Sequence, residues 1–280
     1  MNDTMLDLAK ALTQVKKESP LVQCITNFVT VNDCANIILA SGGSPSMCMD
    51  AREAPEAVAI ARALVCNLGA IESVESMLLT GKRANELGVP VVLDPVAVGG
   101  TELRRDAGKR LLDGVSFAAI RGNASEIRAL SGQAATGSGV DVSALDAVTE
   151  ENLPEAVELV SGLARRTGGV IAVSGVLDVV SDGAQTAVLR NGCATMARIT
   201  GSGCMVTSLI GTFCGAMPDE PFTATVAAMT AMGVCGELAE ARRLQNGTGN
   251  ATFRTDLIDA VFNLTEQRLL EGARYELYER

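Results

Sequence analysis

The residues with the most chemical potential stand together late in the chain, in Arg198-Ile199-Thr200-Gly201-Ser202-Gly203-Cys204-Met205-Val206-Thr207-Ser208. The alternating residues 193–199 read as a strand entering this stretch, and the small, apolar residues 205–214 read as a buried helix leaving it. Two glycines at the junction permit a sharp bend and leave backbone N–H groups bare. A helix start carries unpaired donors and the positive end of the helix dipole, so Gly201, Ser202 and Gly203 form a candidate anion hole. The same field lowers the pKa of a thiol placed in it, which makes Cys204 a candidate proton acceptor. A tight connection with a small core cysteine accounts for the same residues, so the rest of the chain must decide.

Further polar residues follow directly on short apolar runs: Asn27 after 21–25, Asn67 after 63–66, Asp94 after 91–93, Arg121 after 118–120 and Ser174 after 171–173. If those runs are parallel strands, all five residues converge on one rim, where open α/β sheets bind ligands. Asp94, followed by Pro95, suits a divalent cation held directly or through water, and equally a cap or turn. In Arg121-Gly122-Asn123-Ala124-Ser125-Glu126 the Asn-x-x-Glu spacing is that of a capping box. A functional reading places Glu126 beside a metal ion and Arg121 on a phosphate, whose oxygens match a planar guanidinium. Met47 and Met49 fit a core at least as well as a ligand contact.

Several chemistries are excluded or disfavoured. The chain has no histidine, which removes Ser-His-Asp and Cys-His catalysis and His-ligated zinc. There is no GxxxxGK[ST] motif, and Gly201-Ser202-Gly203 lacks the third glycine of a dinucleotide fingerprint. A net charge of −10 without basic clusters argues against nucleic acid or an anionic membrane as a partner, so any phosphate must be held locally. The eight cysteines form no CxxC pair, and with no signal-peptide pattern they read as reduced cytoplasmic thiols. No apolar run is expected to reach the length of a membrane span.

The elements that must position these residues alternate. Helices are expected over 1–19, 31–40, 53–62, 72–87 and 102–112, between strands at 21–25, 44–49, 63–67, 90–93 and 116–120. That alternation predicts a mostly parallel sheet covered on both faces. From residue 169 onward, strands at 170–173, 178–180, 186–189 and 195–199 follow one another through short turns, which predicts an antiparallel sheet edge. Helices over 203–216, 222–243 and 256–277 complete the chain, and 131–150 is expected to be a loop. One α/β domain over residues 1–280 is the economical organisation.

Five motifs in this order, Cys24-Ile25-Thr26-Asn27, residues 40–47 (ASGGSPSM), Leu93-Asp94-Pro95-Val96, residues 120–126 (IRGNASE) and residues 200–208 (TGSGCMVTS), resemble the hydroxyethylthiazole kinase family of the ribokinase-like superfamily. The resemblance implies transfer of the ATP γ-phosphoryl group to the alcohol of 4-methyl-5-(2-hydroxyethyl)thiazole in thiamine salvage, with Mg²⁺, by a homotrimer with active sites between subunits. It implies substrate contacts at Met47 and Gly201, with Asn27 alongside, and ATP contacts at Arg121 and Ser174, with Asn123 alongside. It also implies metal-linked acids at Asp94 and Glu126, and Cys204 beside the reacting hydroxyl. Ser174 stands where many relatives have Thr. Ser138-Gly139-Val140-Asp141 lacks the usual basic residue before Gly, and residues 246–253 (NGTGNATF) are longer than the usual turn. Three other readings compete: a kinase of another small alcohol such as hydroxymethylpyrimidine, a thiol hydrolase, and a non-catalytic thiazole or nucleotide sensor.

Overall fold

The computed structural model describes residues 6–132 and 148–278. Its first half alternates as the periodicity requires: α1 (Leu8–Glu18), β1 (Leu21–Ile25), α2 (Val31–Ser41), β2 (Ser44–Ser46), α3 (Ala54–Ala57), β3 (Ala63–Asn67), α4 (Val74–Glu86), β4 (Val91–Asp94), α5 (Glu102–Gly114), β5 (Ala119–Asn123) and α6 (Ala124–Ser131). Then come α7 (Leu153–Thr167), β6 (Val170–Ser174), β7 (Asp178–Ser181), β8 (Thr186–Leu189), α8 (Ser202–Ala216), α9 (Pro221–Asn246), α10 (Asn250–Phe262), α11 (Glu266–Gly272) and β9 (Tyr275–Leu277).

The strands form one nine-stranded sheet in the order β2-β1-β3-β4-β5-β6-β7-β8-β9. Pairings from β2 through β6 are parallel, and those from β6 to β9 are antiparallel. Alternate strand residues feed two cores. Val22, Cys24, Ala63, Val65 and Val92 join residues of α1, α2, α8, α9 and α10 on one face. Ile25, Leu64, Cys66, Val91 and Leu93 join residues of α3 to α7 on the other. A strand buried on both sides has no polar face to show, which is why these segments read as short apolar runs.

Several expectations need correction: the strand expected over 44–49 ends at Ser46, and the helix expected over 53–62 is α-helical only over Ala54–Ala57 before a 3₁₀ turn. Residues 195–199 are not a strand: Ala194–Arg198 forms a 3₁₀ turn, and β9 occupies the place beside β8. Asn191 holds the substitute edge, donating to the Gly272 carbonyl at 2.8 Å and accepting from the Arg274 N–H at 2.7 Å. The helix expected over 256–277 starts earlier, at Asn250, and breaks after Phe262; Thr265 caps a new helix by accepting from the Arg268 N–H, before the chain extends into β9. The strand expected at 116–120 begins at Ala119, because Ser116 exchanges two hydrogen bonds with the Asn85 side chain at the end of α4 instead of joining the sheet.

Helix α7 is absent from the elements expected above, although Leu153, Val157, Val160 and Ala164 give it a buried stripe at helical spacing. Most of the loop expected over 131–150, including Ser138 to Asp141, lies outside the described residues. The 246–253 segment is compact: Gly247, with φ of 63°, ends α9, and α10 resumes at Asn250. Contrary to expectation, α9 is long and apolar enough to cross a membrane by length and composition, but 83% of its apolar window is buried inside the fold.

Candidate active site

Because β1, β3, β4, β5 and β6 are parallel, their carboxyl ends open on one rim. Asn67 and Asp94 are paired across β3 and β4, and Asn123 and Ser174 across β5 and β6. Asn27 follows β1 by two residues, and Met47 follows β2, half-buried against the core that contains α8. Helix α8 starts over this rim. The structure therefore brings Asn27, Asn67, Asp94, Arg121 and Ser174 to one place, with Cys204 among them.

Gly201 is the N-cap of α8, with φ of 79° and no side-chain cap, and the first turn carries no acidic residue. The opening N–H groups of the helix thus have no partner from their own chain end. A Cβ on Gly201 would stand 2.5 Å from Thr30 Cγ2, and one on Gly203 would stand 2.5 Å from Arg121 Nη1. Only glycine at 203 lets the Arg121 guanidinium lie against the turn. The guanidinium also donates to Ser174 Oγ, and its Nε is buried without a partner. Arginine, helix start and Ser174 thus make one cationic, donor-rich corner.

A polar chain runs behind that corner. Cys204 Sγ accepts from Asn67 Nδ2 at 3.2 Å and from Asn27 Nδ2 at 3.6 Å. Asp94 Oδ2 accepts from Asn67 Nδ2 at 3.0 Å and from Thr207 Oγ1 at 2.9 Å. Asn27 Oδ1 in turn holds the N–H and hydroxyl of Thr30, each at 3.2 Å. Asp94 is 1% exposed, and its Oδ1 has no hydrogen-bond partner. Burial pushes its carboxyl up to about 7, with Arg121 opposing and Glu126 adding to the rise.

The expected lowering of the Cys204 pKa is corrected by the structure. Burial first, and the Asp94 charge second, push the thiol up to about 12, while hydrogen bonds from Thr30 and Asn67 only partly oppose them. A helix dipole in its first turn contributes less than removal from water costs a thiolate. Sγ therefore rests as a thiol. Combined with the absence of histidine, that leaves no support for a covalent thiol hydrolase.

Asn123 and Glu126 form the capping box that their spacing announced. Asn123 Oδ1 accepts the Glu126 N–H and Glu126 Oε2 accepts the Asn123 N–H, both at 2.8 Å. Glu126 Oε1 also accepts the N–H of Ala97 at 2.8 Å, and Ala97 has a positive φ of 55°. Glu126 therefore pins the turn that follows Asp94. Among the described residues there is no group of three or more His, Cys, Asp or Glu set to hold a metal ion.

The sequence puts Asn67 on the rim without a role and singles out neither Thr30 nor Thr207. A polar residue one helical turn past a glycine bend was the available signal for Thr207. For Thr30 only the fold reveals the contact, since it meets Gly201 across 171 positions of chain.

The hydroxyethylthiazole kinase family model matches residues 12–267. A hydroxyethylthiazole kinase of Clostridium acetobutylicum is 44% identical over 274 residues, covering 97% of this chain and all of the relative. One of Desulfovibrio desulfuricans is 46% identical over 266 residues, covering 92% and 93%. The solved hydroxyethylthiazole kinase of Pyrococcus horikoshii OT3 superposes with a TM-score of 0.85 at 34% identity, over 98% of this chain and 100% of that one. A pyridoxal kinase of Bacillus subtilis, with a TM-score of 0.57 at 16% identity and coverage of 77% and 90%, shares the ribokinase-like fold alone. A match this long, in chains aligned nearly end to end, shows the family: the chain belongs to the hydroxyethylthiazole kinase family.

Proposed function

We propose that this chain transfers the γ-phosphoryl group of ATP to the primary hydroxyl of 4-methyl-5-(2-hydroxyethyl)thiazole. Family membership supports the reaction. The observation that carries it to this site is the uncapped start of α8, with the Arg121 guanidinium against Gly203 and Cys204 in the next position. Phosphoryl transfer goes through a loose, charge-dispersed transition state, so positioning and electrostatics do most of the work. The N–H groups of residues 201–204 receive the migrating charge, and Arg121, anchored on Ser174, receives the rest. A net acidic protein thereby builds a local positive field.

The alcohol lies next to Cys204, with Asn27 beside it; the family resemblance adds a contact from Met47, just past β2. Cys204 first releases its thiol hydrogen to solvent; the alcohol proton then leaves late, when its oxygen is already bonding to phosphorus, and passes to the Cys204 thiolate, restoring the thiol. Two amide donors on the sulfur, from Asn27 and Asn67, stabilise that form. Little activation of the nucleophile is needed in a loose transition state, which lets a thiol serve where histidine is absent.

The residues fit a magnesium ion. Asp94 Oδ1 is a buried carboxylate oxygen with no partner, and Glu126 spends one lone pair on each oxygen and keeps another. Mg²⁺ commonly takes one or two carboxylates, keeping waters and substrate phosphate for the remainder. Asp94, with Glu126 beyond it, would hold the ion, which supplies neutralisation of phosphate charge. The deciding experiment is coupled measurement of ATP consumption with a panel of small alcohols. Consumption with the thiazole alcohol, abolished by EDTA and restored by Mg²⁺, is the expected result; consumption with another alcohol only, or none, overturns the reading.

Assembly as a homotrimer, with sites between subunits, goes with this reading. Phe28 is 85% exposed and Val29 is 55% exposed, on the turn beside Asn27. Large apolar side chains exposed beside a functional rim suit a subunit contact. Sedimentation equilibrium should return three times the 29.0 kDa chain mass, and a monomer would remove this part. A cytoplasmic location is consistent with the free state of all eight cysteines.

A further inference from the structure

Asn67 ends β3 with its side chain 1% exposed and every hydrogen-bonding position occupied. Its two amide hydrogens go to different groups, one to Asp94 Oδ2 at 3.0 Å and one to Cys204 Sγ at 3.2 Å. Its oxygen accepts from the Gly69 N–H at 2.9 Å and from Asn27 Nδ2 at 3.2 Å. The partners themselves fix the amide's orientation. A backbone N–H only donates, so a flipped amide would set its hydrogens against that of Gly69. Gly69 has no room for a side chain, since a Cβ there would stand 2.6 Å from Asn67 Oδ1. Local backbone, neighbouring amide and strand end thus converge to hold one side chain in one pose.

We propose that Asn67 is the positioning residue of the transfer. With one hydrogen on the sulfur and the other on the carboxylate, it sets the distance between the group beside the reacting alcohol and the group facing the metal. This rests on the kinase reading given above. Asn67 touches neither substrate nor phosphate; it acts through Cys204 and Asp94. Misplacement of a reacting group by about 1 Å costs on the order of 10²-fold in rate, while ground-state binding made elsewhere is kept.

The test is a set of four proteins: wild type, Asn67→Leu, Cys204→Ala and the double variant. Asn67→Leu keeps the branched shape, with a somewhat larger side chain, and removes both donors together with the acceptor. Its kcat should fall about 10²-fold, with KM for alcohol and ATP within about threefold. With Cys204 gone, the same substitution should cost no more than about tenfold, because only the Asp94 arm remains to be lost. Equal losses in both backgrounds, or a raised KM at unchanged kcat, overturn the proposal. If Asn67→Leu does not fold, Asn67→Asp is put to the same comparison, being equal in shape and without the amide donors.

Crystal structures of the wild type and the folded variant give a readout independent of activity. Cys204 Sγ and the Asp94 carboxylate should each shift by about 1 Å or more, the displacement that matters for reacting groups; unchanged positions overturn the proposal. A wild-type chain that consumes no ATP with the thiazole alcohol would defeat the kinase reading, and these structures would still decide the role of Asn67.

Discussion

Replacing Cys204 by Ala is expected to lower kcat by about 10²–10⁴-fold, the usual worth of a positioned proton acceptor. Binding of a non-hydrolysable ATP analogue should stay within a few-fold, because the phosphate donors are backbone N–H groups and Arg121. The pH dependence separates this role from simple packing. The thiol is pushed up to about 12, so the sulfur carries its hydrogen at neutral pH. The ionised fraction then grows about tenfold per pH unit below that value. Wild-type kcat should therefore keep climbing between pH 8 and pH 10, above the Asp94 transition at about 7, and the alanine variant should lose that slope as well as the rate. Near-normal turnover in Cys204→Ala, or an unchanged slope, removes the sulfur from the proton's path.

The second large effect is expected at Gly203. An alanine there puts a Cβ 2.5 Å from Arg121 Nη1, the far end of a flexible side chain. The arginine can swing away without disturbing the core, so the melting temperature should hardly move. Displaced from the helix start, Arg121 no longer meets the transferring phosphoryl group. Loss of one such preorganised donor typically costs about 10²–10³-fold, and kcat/KM for ATP should fall in that range.

Gly201→Ala is the contrasting control. Its φ of 79° and the Thr30 Cγ2 atom 2.5 Å from the new Cβ strain the backbone itself. Such strain costs about 1–3 kcal/mol, so this variant should melt several degrees lower. A normal kcat/KM in Gly203→Ala, or a collapse of its melting temperature, would separate Arg121 from the anion site.

The contrast between these glycines shows what a motif leaves unsaid. Gly-Ser-Gly before an apolar helix announces a bend with bare N–H groups, and α8 begins where that pattern says it should. It does not announce that one glycine makes room for Thr30 and the other for Arg121. Those neighbours stand 171 and 82 positions away in the chain and meet the turn only when β1, β5 and α8 share a sheet end.

What the sequence by itself determined is local and periodic. Short apolar runs between helices required a doubly covered parallel sheet, and polar residues after those runs marked its rim. Asn-x-x-Glu required the capping box at α6. The tertiary structure decided what depends on competition between distant segments or on burial. Residues 193–199 alternate well enough for a strand, yet β9 takes the edge of β8 because Asn191 ties it there. Cys204 has the dipole and amide donors that would acidify it, yet the packing around it sets the opposite sign. Hydrogen-bonding types and spacing are written in the chain, whereas desolvation is a property of everything packed around a group and exists only once the fold has closed.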